Sequence, residues 1–512
     1  MSPHAKRPEE ITEDQMLRPD AQQILADGLE AEATYSAVAK ADPNYPALHL
    51  APPVGRLNDP NGLIFKDGVY HAFYQYAPTH PLRDIYWRHA SSTDLVHWED
   101  GPNAIAPTHW YDRNGAYSGS AYLAEDGTVE LFYSGNVKNP DGTRETYQNL
   151  VTTRDFVTFE RFDGNPLIAG TPDGFSPHFR DPSVYQHDGK FYALIGTQRE
   201  NLTGAIVLYS SDDRRSWAYE GEIEFSDPAI DTYGYMLECP QVFTLTDTVT
   251  GQQKDVMIFC PQGMEPVGEK YNNKYQSGYV VGHLRGTRFE VETPFTEFDA
   301  GFEFYAPQVF HGTADGHKAL ITAWFGISDQ DDMPSWEQHW LHLFTLPRWL
   351  TLQQGQLVQT PAEGLELALP LAPAPLQEGG ELPLLAGARV FRLAGSVDLS
   401  SGPVTVQFED EAGAAVRFTL GEGQAELDRS GSLYTVWGPV RTHTFETARS
   451  QRSFDLLFDA SALEIFIDGG AVTMSGRAYL RGGVKGVRLL DASGQPLEPG
   501  RIKLQAARLD QG

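Results

Sequence analysis

The stretch GVYHAFYQY, residues 68–76, contains the first of five aromatic and apolar strand cores that recur along the chain. Its core begins at residue 73, and the others begin at 131 (VELFYSGNV), 191 (GKFYALIGT), 257 (DVMIFCPQG) and 320 (HKALITAWFG), so the intervals are 58, 60, 66 and 63 residues. A fixed period is the sequence signature of a repeat architecture. A period of this length leaves room for four strands and long loops in each repeat. The five copies between roughly residues 50 and 355 therefore predict a five-bladed β-propeller.

A second pattern repeats with nearly the same period. It consists of small polar residues and Asp followed by an aromatic residue, and it ends at Trp98 in STDLVHW, Phe159 in TTRDFVTF and Trp217 in SSDDRRSW. Any all-β chain contains aromatic strands at irregular spacing. Two independent markers that share one period favour a true repeat over that alternative.

The rest of the chain divides by composition. Residues 1–44 form an extension, within which the Ala-, Glu- and Leu-rich segment 20–41 predicts a helix. The propeller is predicted to span 45–360, and a Pro-, Leu- and Gly-rich linker 361–384. Alternating strands over 385–512 predict a β-sandwich. The expected fold is all-β: a five-bladed β-propeller followed by a C-terminal β-sandwich.

Charge and composition exclude several classes of protein. The 512 residues include 39 Lys and Arg against 69 Asp and Glu, a formal net charge of −30, which repels nucleic acids and anionic membrane surfaces. The two cysteines, Cys239 and Cys260, form neither a disulfide framework nor a four-cysteine zinc site. The polar N-terminus lacks the apolar segment of a secretion signal, and no run is long and apolar enough to span a membrane. We therefore expect a cytoplasmic protein.

Three short motifs join an acid to a proline turn: NDPNG at Asp59, RDP at Asp181 and ECP at Glu238. Each motif alone is typical of an ordinary turn. However, Asp59 and Asp181 are 122 residues apart, about two repeats, and Asp181 and Glu238 are 57 apart, about one. The period therefore predicts that the three acids occupy nearly equivalent positions and converge on the central channel.

Such a cluster points to chemistry. Three carboxylates at one end of a channel repel each other and lose solvation, which a purely structural protein has no reason to accept. Two carboxylates are what glycoside hydrolysis requires, and a third can hold substrate hydroxyls. The faces of Trp87, Trp110, Tyr305 and Trp324 suit a sugar ring, although these aromatic residues could instead form the cores of the blades.

The motifs, in their order, resemble those of glycoside hydrolase family 32, which contains invertases, sucrose-6-phosphate hydrolases, levanases and inulinases. The similarity runs from about Pro46 to Leu352. It rests on GRLNDPNGLIF, FYQYAP, YWRHASSTDLVHW, GAYSGSA, HFRDPSVY, GYMLECPQVF, QSGYVVG, EFYAPQVF and LHLFTLPRWLTL. LDRSGS and DASALEIFIDGGAV are similar to the β-sandwich of the family. The resemblance implies the same propeller and sandwich.

The resemblance also implies roles for residues. Asp59 would be the nucleophile, Glu238 the general acid/base and Asp181 the stabiliser of the transition state, with Arg180 keeping Asp181 ionised. A retaining mechanism implies that the carboxyl groups of Asp59 and Glu238 lie roughly 5 to 5.5 Å apart. No metal or organic cofactor is expected. The residues implied to bind the sugar are Asn58, Gln75, Trp87, Ser118, Arg180, Tyr305, Trp324 and Arg83.

The sequence departs from the family pattern near the leaving-group side. The departures are Arg56 in place of Trp, Arg88 in place of Gly and Gln241 in place of Asp. Arg83 lies in a loop that borders the same region. Because Arg forms bidentate pairs with phosphate oxygens, Arg56, Arg83 and Arg88 could bind the phosphate of sucrose-6-phosphate. The alternative is that they pair with local acids such as Asp84 and Glu99.

Other functions stay open. A fructosyltransferase would keep all three acids, a fructan hydrolase would differ in its outer loops, and a non-catalytic sugar-binding propeller would usually lose an acid. The segment His339–His342 is expected to be a strand of the last blade rather than a metal site, and Cys239 is not expected to be a nucleophile. The sandwich is predicted to support the propeller or to form the face of a homodimer, with sugar binding as the less favoured alternative.

Overall fold

The structure is a computed structural model that describes residues 15–509. The first 14 residues of the predicted extension and residues 510–512 lie outside it. In the described range, strands dominate, which confirms the all-β class. No helix of that range is long and apolar enough to cross a membrane. The helices are α1 (Ala21–Ala41), α2 (Gly364–Ala368) and the 3₁₀ turns Pro228–Thr232, Pro334–Gln338, Pro383–Leu385 and Pro499–Arg501.

Five antiparallel sheets occupy residues 55–361. The first contains β1 (Gly55–Lys66), β2 (Val69–Ala77), β3 (Tyr86–Ser92) and β4 (Glu99–Ile105). The second contains β5 (Ala116–Leu123), β6 (Val129–Lys138), β7 (Arg144–Thr153), β8 (Glu160–Arg161) and β9 (Ile168–Ala169). The third contains β10 (Phe175–His187), β11 (Lys190–Arg199), β12 (Gly204–Ser211) and β13 (Ala218–Glu222). The fourth contains β14 (Glu224–Phe225), which pairs in parallel, β15 (Met236–Thr246), β16 (Gln253–Gln262), β17 (Gly278–Arg285) and β18 (Arg288–Glu297). The fifth contains β19 (Tyr305–Val309), β20 (Ala319–Trp324), β22 (Arg348–Gln353) and β23 (Gln356–Pro361). A short strand, β21 (Trp340–Leu341), pairs in parallel with β1.

The repeat seen in the sequence has a structural counterpart. The five aromatic cores lie on β2, β6, β11, β16 and β20, the second of the longer strands in each sheet. In the turns of the second pattern, the carboxylates of Asp94, Asp155 and Asp213 accept hydrogen bonds from following backbone N–H groups. The strands β1, β5, β10, β15 and β19 contact one another in that order, and β19 contacts β1, so they form a closed ring.

Two further sheets pack face to face in the C-terminal part. Their strands are β24 (Ala372–Pro373), β25 (Val390–Asp398), β26 (Val404–Asp410), β27 (Gly413–Leu420), β28 (Gln424–Asp428), β29 (Val440–Thr444), β30 (Gln451–Asp459), β31 (Ala462–Ile467), β32 (Val472–Arg477), β33 (Gly486–Leu490) and β34 (Ile502–Arg508). Phe391 and Phe458 from one sheet pack against Phe408 from the other.

Two sequence expectations need correction. The segment 361–384 was expected to be a linker, but β24 within it pairs with β34, so the C-terminal sheets begin before residue 385. The segment His339–His342 was expected in the last sheet, but β21 lies beside β1 in the first sheet. In both cases the pairing partner is more than 100 residues away, which a local pattern does not reveal.

A buried ionic network joins the five-sheet part to the C-terminal sheets. The side chain of His49 has no solvent exposure, and its ring lies 2.7 Å from Asp459 Oδ2 and 2.9 Å from Glu464 Oε1. Arg348 binds Glu464 and, at 3.2 Å, Asp299. Removing one partner of these ion pairs would leave a buried charge without a counter-charge, which is strongly destabilising. The network therefore favours the observed arrangement of the two parts.

We expect His49→Gln to destabilise the protein by about 3 kcal/mol at pH 6. Burial on its own would lower the pKa of His49, but hydrogen bonds to Asp459 and Glu464 outweigh it and raise the pKa to about 9. A raised histidine pKa contributes stability that is complete below the unfolded value of about 6.5 and is lost as pH rises through 9. Urea unfolding of both proteins should show a difference that is largest at pH 6 and shrinks toward pH 10. A difference that does not change with pH would contradict this assignment, and exposed His187→Gln is the control.

Candidate active site

The site is built from one backbone irregularity that four sheets repeat. In β1, β10, β15 and β19 the register shifts around a residue that precedes proline, and a bulge of this kind re-aims side chains. The shifts lie between Leu57 and Pro60, Arg180 and Ser183, Glu238 and Gln241, and Tyr305 and Gln308. Asp181, Cys239 and Ala306 have φ of 67°, 49° and 48° at these bulges. A corresponding shift in β5 contains Ser118.

The bulges refine the predicted equivalence of the three acids. Asp59 and Asp181 both stand directly before the proline of their bulges, so they are equivalent. Glu238 stands one residue earlier, at the position that corresponds to Arg180 in the third sheet and Tyr305 in the fifth. The acids are therefore nearly but not fully equivalent, and two different bulge positions supply the catalytic candidates.

Asp59 is fixed by three donors. Its Oδ2 accepts hydrogen bonds from Ser118 Oγ at 2.6 Å and Gln75 Nε2 at 3.2 Å, and its Oδ1 accepts one from Asn58 Nδ2 at 3.4 Å. Asn58 also donates to Gln75 Oε1 at 2.7 Å and accepts from Arg56 at 3.0 Å. The predicted residues Asn58, Gln75 and Ser118 thus form one polar network around the carboxylate.

Glu238 is held by a separate set of side chains. Its Oε1 accepts hydrogen bonds from Arg180 Nε at 2.8 Å and Nη2 at 2.6 Å. Its Oε2 accepts one from Gln262 Nε2 at 2.6 Å and another from the Tyr305 hydroxyl. Arg180, Gln262 and Tyr305 together fix the orientation of the carboxyl group.

Asp181 lies beside Glu238. Its Oδ2 accepts a hydrogen bond from the Cys239 backbone N at 3.0 Å, and the Cys239 Sγ lies 3.6 Å away. Arg180 was expected to keep Asp181 ionised, but its guanidinium forms its hydrogen bonds with Glu238. Burial and the charge of Glu238 outweigh the lowering effect of Arg180 and raise the pKa of Asp181 to about 7.

The electrostatics show that the acids share one site. Burial raises the pKa of Asp59, and the charge of Glu238 raises it further, whereas hydrogen bonds from Ser118 and Asn58 lower it. The charge of Glu238 also raises the pKa of Asp181. Groups that perturb each other in this way are typical of catalytic sites.

The aromatic candidates divide into two groups. Tyr305 contacts Glu238 through its hydroxyl, and Trp324 packs edge-on against Tyr305 at 6.2 Å between centroids and lies under Arg56. Trp87 was expected to line the channel, which is wrong. It has 0% exposure, donates to the Tyr117 carbonyl, and packs in the core between the first two sheets. Trp110 lies in the same core. Trp87 lies on β3, where strand alternation directs its ring between the sheets, whereas Trp110 lies in the turn region that follows β4.

The three arginines proposed for phosphate have different roles. Arg88 is buried and binds Glu32 on α1 at 2.7 Å and Asp100 at 2.7 Å, so it attaches the helix to the first sheet instead of serving a phosphate. Arg56 and Arg83 both bind Asp331, each at 3.0 Å. The side chain of Arg83 is 58% exposed, whereas that of Arg56 is 5% exposed.

Sequence reasoning missed several residues that contact the site. Gln262 binds Glu238, and His178 lies 3.2 Å from Arg180. Tyr235 donates to the Tyr275 hydroxyl at 3.2 Å near the same acid. Gln262 ends β16 two positions after Cys260, which pairs with Glu238, so the strand period could have placed it. No group of three or more metal-ligating side chains occurs within residues 15–509.

The site can perform acid/base and nucleophilic chemistry. It joins one hydrogen-bonded carboxylate, one carboxyl group held by separate donors, and a third acid with a raised pKa. Different environments for paired carboxyl groups are what assign acid and base roles in glycosidases. Fold and site together define a carbohydrate-cleaving enzyme of the glycosidase class.

Comparison with known proteins gives the same class of enzyme. Residues 49–361 match the N-terminal domain of glycosyl hydrolases family 32, and the chain belongs to this family. It is 38% identical over 457 residues to a sucrose-6-phosphate hydrolase of Bacillus subtilis, covering 86% of this chain and 90% of the relative. It is 32% identical over 474 residues to a raffinose invertase of Escherichia coli, covering 88% and 93%.

Solved structures show the same fold. A sucrose-6-phosphate hydrolase from Lactobacillus gasseri superposes with a TM-score of 0.83 at 27% identity, covering 94% of this chain and 96% of that one. A family 32 β-fructofuranosidase of Bombyx mori gives 0.79 at 28% identity, covering 96% and 98%. A mutant of the Bombyx mori enzyme in complex with sucrose gives 0.77 at 28% identity, with the same coverage.

Proposed function

We propose that the protein is a retaining β-fructofuranosidase that cleaves the fructosyl bond of sucrose or sucrose-6-phosphate. The observation that carries this proposal is the contrast between Asp59 and Glu238. Ser118, Gln75 and Asn58 hold Asp59, whereas Arg180, Gln262 and Tyr305 hold Glu238. Two acids held by separate networks can take the separate roles that retention requires.

In the first step, an oxygen of ionised Asp59 attacks the anomeric carbon of the fructosyl unit. The bond to the glucosyl oxygen breaks, and Glu238 gives that oxygen its proton. In the second step, Glu238 takes a proton from water, the hydroxide attacks the same carbon, and Asp59 leaves. Two inversions give overall retention, and the two carboxyl groups are predicted to lie roughly 5 to 5.5 Å apart.

The remaining site residues are proposed to bind substrate. Asp181 accepts hydrogen bonds from fructosyl hydroxyls and stabilises the positive charge of the transition state. Asn58, Gln75 and Ser118 bind fructosyl oxygens at the floor of the site. The subsite continues toward the leaving group through the side chains of Tyr305, Trp324, Arg180 and Arg83.

Three broader expectations belong to the same proposal. We infer that the five sheets are the blades of a five-bladed β-propeller, which the closed ring of β1, β5, β10, β15 and β19 supports. The domain bounds 45–360 and 385–512, corrected by β24, go with this inference. A phosphorylated substrate carries charge that does not cross a bilayer unaided, which favours a cytoplasmic enzyme. A homodimer stays a prediction, which sedimentation or light scattering would test.

The direct test is release of fructose from sucrose, sucrose-6-phosphate and inulin by the wild type and by Glu238→Gln. We expect cleavage of one or both disaccharides, with the β-anomer of fructofuranose as the first product by NMR. Inulin turning over faster than either disaccharide would establish a fructan hydrolase instead. Transfer products that dominate over free fructose would establish a transferase. Binding of sucrose without cleavage would establish a sugar-binding protein and refute the proposal.

A further inference from the structure

Two positive side chains face each other at the end of the second sheet. Lys138 ends β6, Arg144 begins β7, and the two are direct partners in the antiparallel register. Directly opposed like charges destabilise a pair of strands. Within residues 15–509, neither side chain has an acid within ion-pair distance, although the chain carries a net charge of −30. Asp141 in the intervening turn accepts hydrogen bonds from Thr143.

The pair lies at the same end of the sheets as the catalytic candidates. On β6, Ser134 accepts a hydrogen bond from the Asp181 backbone N at 2.9 Å, and Lys138 follows four residues later. On β7, Gln148 binds Ser134, and Arg144 precedes it by four residues. Four residues of strand span about 13 Å. The two cations therefore border the outer part of the site rather than its floor.

Further positive groups extend this border on both sides. Burial lowers the pKa of Lys138, and the charges of Arg144 and Arg83 lower it further. The pKa of His178 is lowered to about 4 by burial, by Arg180 and by Arg144. Lys138 and Arg144 are direct strand partners, His178 lies 3.2 Å from Arg180, and the charges of Arg83 and Arg144 act on Lys138 and His178, so these positive groups share one side of the site.

These positive groups lie where the leaving group of the substrate is expected. Under the proposed function, Asn58 and Gln75, which bind each other, hold the fructosyl unit at the floor, and the glucosyl unit then points outward past Glu238. A phosphate on that glucosyl unit would meet the border of the site. Lys and Arg are the side chains that bind phosphate, and a dianion between two opposed cations removes their repulsion.

We propose that Lys138 and Arg144, assisted by Arg83, bind the phosphate of sucrose-6-phosphate and make the enzyme prefer this substrate over sucrose. The inference rests on the proposed function, since it assumes fructosyl cleavage. Arg83 contributes less, because Asp331 already pairs with it at 3.0 Å. The unpaired cations Lys138 and Arg144, which sequence reasoning did not single out, carry the specificity.

The test compares kcat/KM for sucrose-6-phosphate with kcat/KM for sucrose. We expect the ratio to fall about tenfold in Lys138→Ala and in Arg144→Ala, and about 100-fold in the double variant. The melting temperature should stay equal or rise, because like-charge repulsion is removed. The matched control is Arg154→Ala, at the opposite end of β7, where an exposed arginine pairs with Asp126. It should leave the ratio unchanged.

Glucose-6-phosphate provides a second probe. It should inhibit sucrose hydrolysis competitively in the wild type, at concentrations at which glucose does not, and this inhibition should be lost in the double variant. An unchanged ratio in the double variant, or an equal fall in kcat/KM for both sugars, would overturn the inference. A wild type that cleaves neither sugar would instead refute the proposed function, so the two failures are distinguishable.

Discussion

Replacing Asp59 with Asn is expected to lower kcat at least about 10⁴-fold, whichever of the two sugars is the better substrate. An amide cannot attack the anomeric carbon, so no covalent intermediate forms. Asn is nearly the same shape as Asp, and its carbonyl oxygen can still accept the hydrogen bond that Ser118 donates at 2.6 Å. The loss would therefore report on chemistry and not on packing.

Stability measurements separate these causes. Asp59 is half-buried, and its partial desolvation raises its pKa, so its ionised form is disfavoured by the folded protein. Removing that charge should leave the melting temperature unchanged or increase it. Asp155→Asn is a control, since its carboxylate caps a turn on the second sheet, outside the site. A variant Asp59→Asn that keeps a tenth or more of wild-type kcat would contradict the assignment of the nucleophile.

Replacing Glu238 with Gln is expected to lower kcat for sucrose about 10³-fold, because the leaving glucosyl oxygen then receives no proton. The loss should be much smaller in the first step with a fructoside whose leaving group needs no protonation. For that substrate the covalent intermediate should accumulate, since no base activates water. Gln can still accept from Arg180 at Oε1, so the side chain should keep its place.

The comparison of two leaving groups makes this prediction specific. Burst kinetics with the activated fructoside should show a fast phase followed by slow turnover. An equal loss on both substrates would mean that Glu238 only organises the site. Cys239→Ser is the neighbouring control and should lose far less activity than Glu238→Gln, because the thiol is not the proposed nucleophile and the Cys239 backbone N–H that binds Asp181 remains.

Much of the fold could be predicted from the sequence because each repeat contains the same short local patterns. The aromatic cores fall on β2, β6, β11, β16 and β20, and the Asp turns recur where the second pattern placed them. The three acids could be found because each lies one or two residues before a proline at a bulge in the strand pairing. A fourth copy, Tyr305-Ala306-Pro307 in the fifth sheet, has the same form but carries no acid, so a search for acids near prolines does not find it.

The sequence does not predict the direction of individual side chains or their distant partners. Trp87 and Arg88 are neighbours on β3, yet one lies in the core between two sheets and the other binds α1. The partner of Arg180 is Glu238, 58 residues away, and not the adjacent Asp181. That Lys138 and Arg144 lie opposite each other depends on the register of β6 and β7, which the sequence does not reveal. Long-range pairing decides each of these contacts.

Asp59 is proposed to form a covalent bond with the fructosyl unit. The most direct test of this bond is mass spectrometry of Glu238→Gln after reaction with an activated fructoside, followed by proteolysis and sequencing of the modified peptide. We expect one fructosyl unit on the peptide that contains Asp59, and no modification in the double variant Asp59→Asn, Glu238→Gln. An unmodified protein during active turnover, or a fructosyl unit on any other residue, would contradict the account.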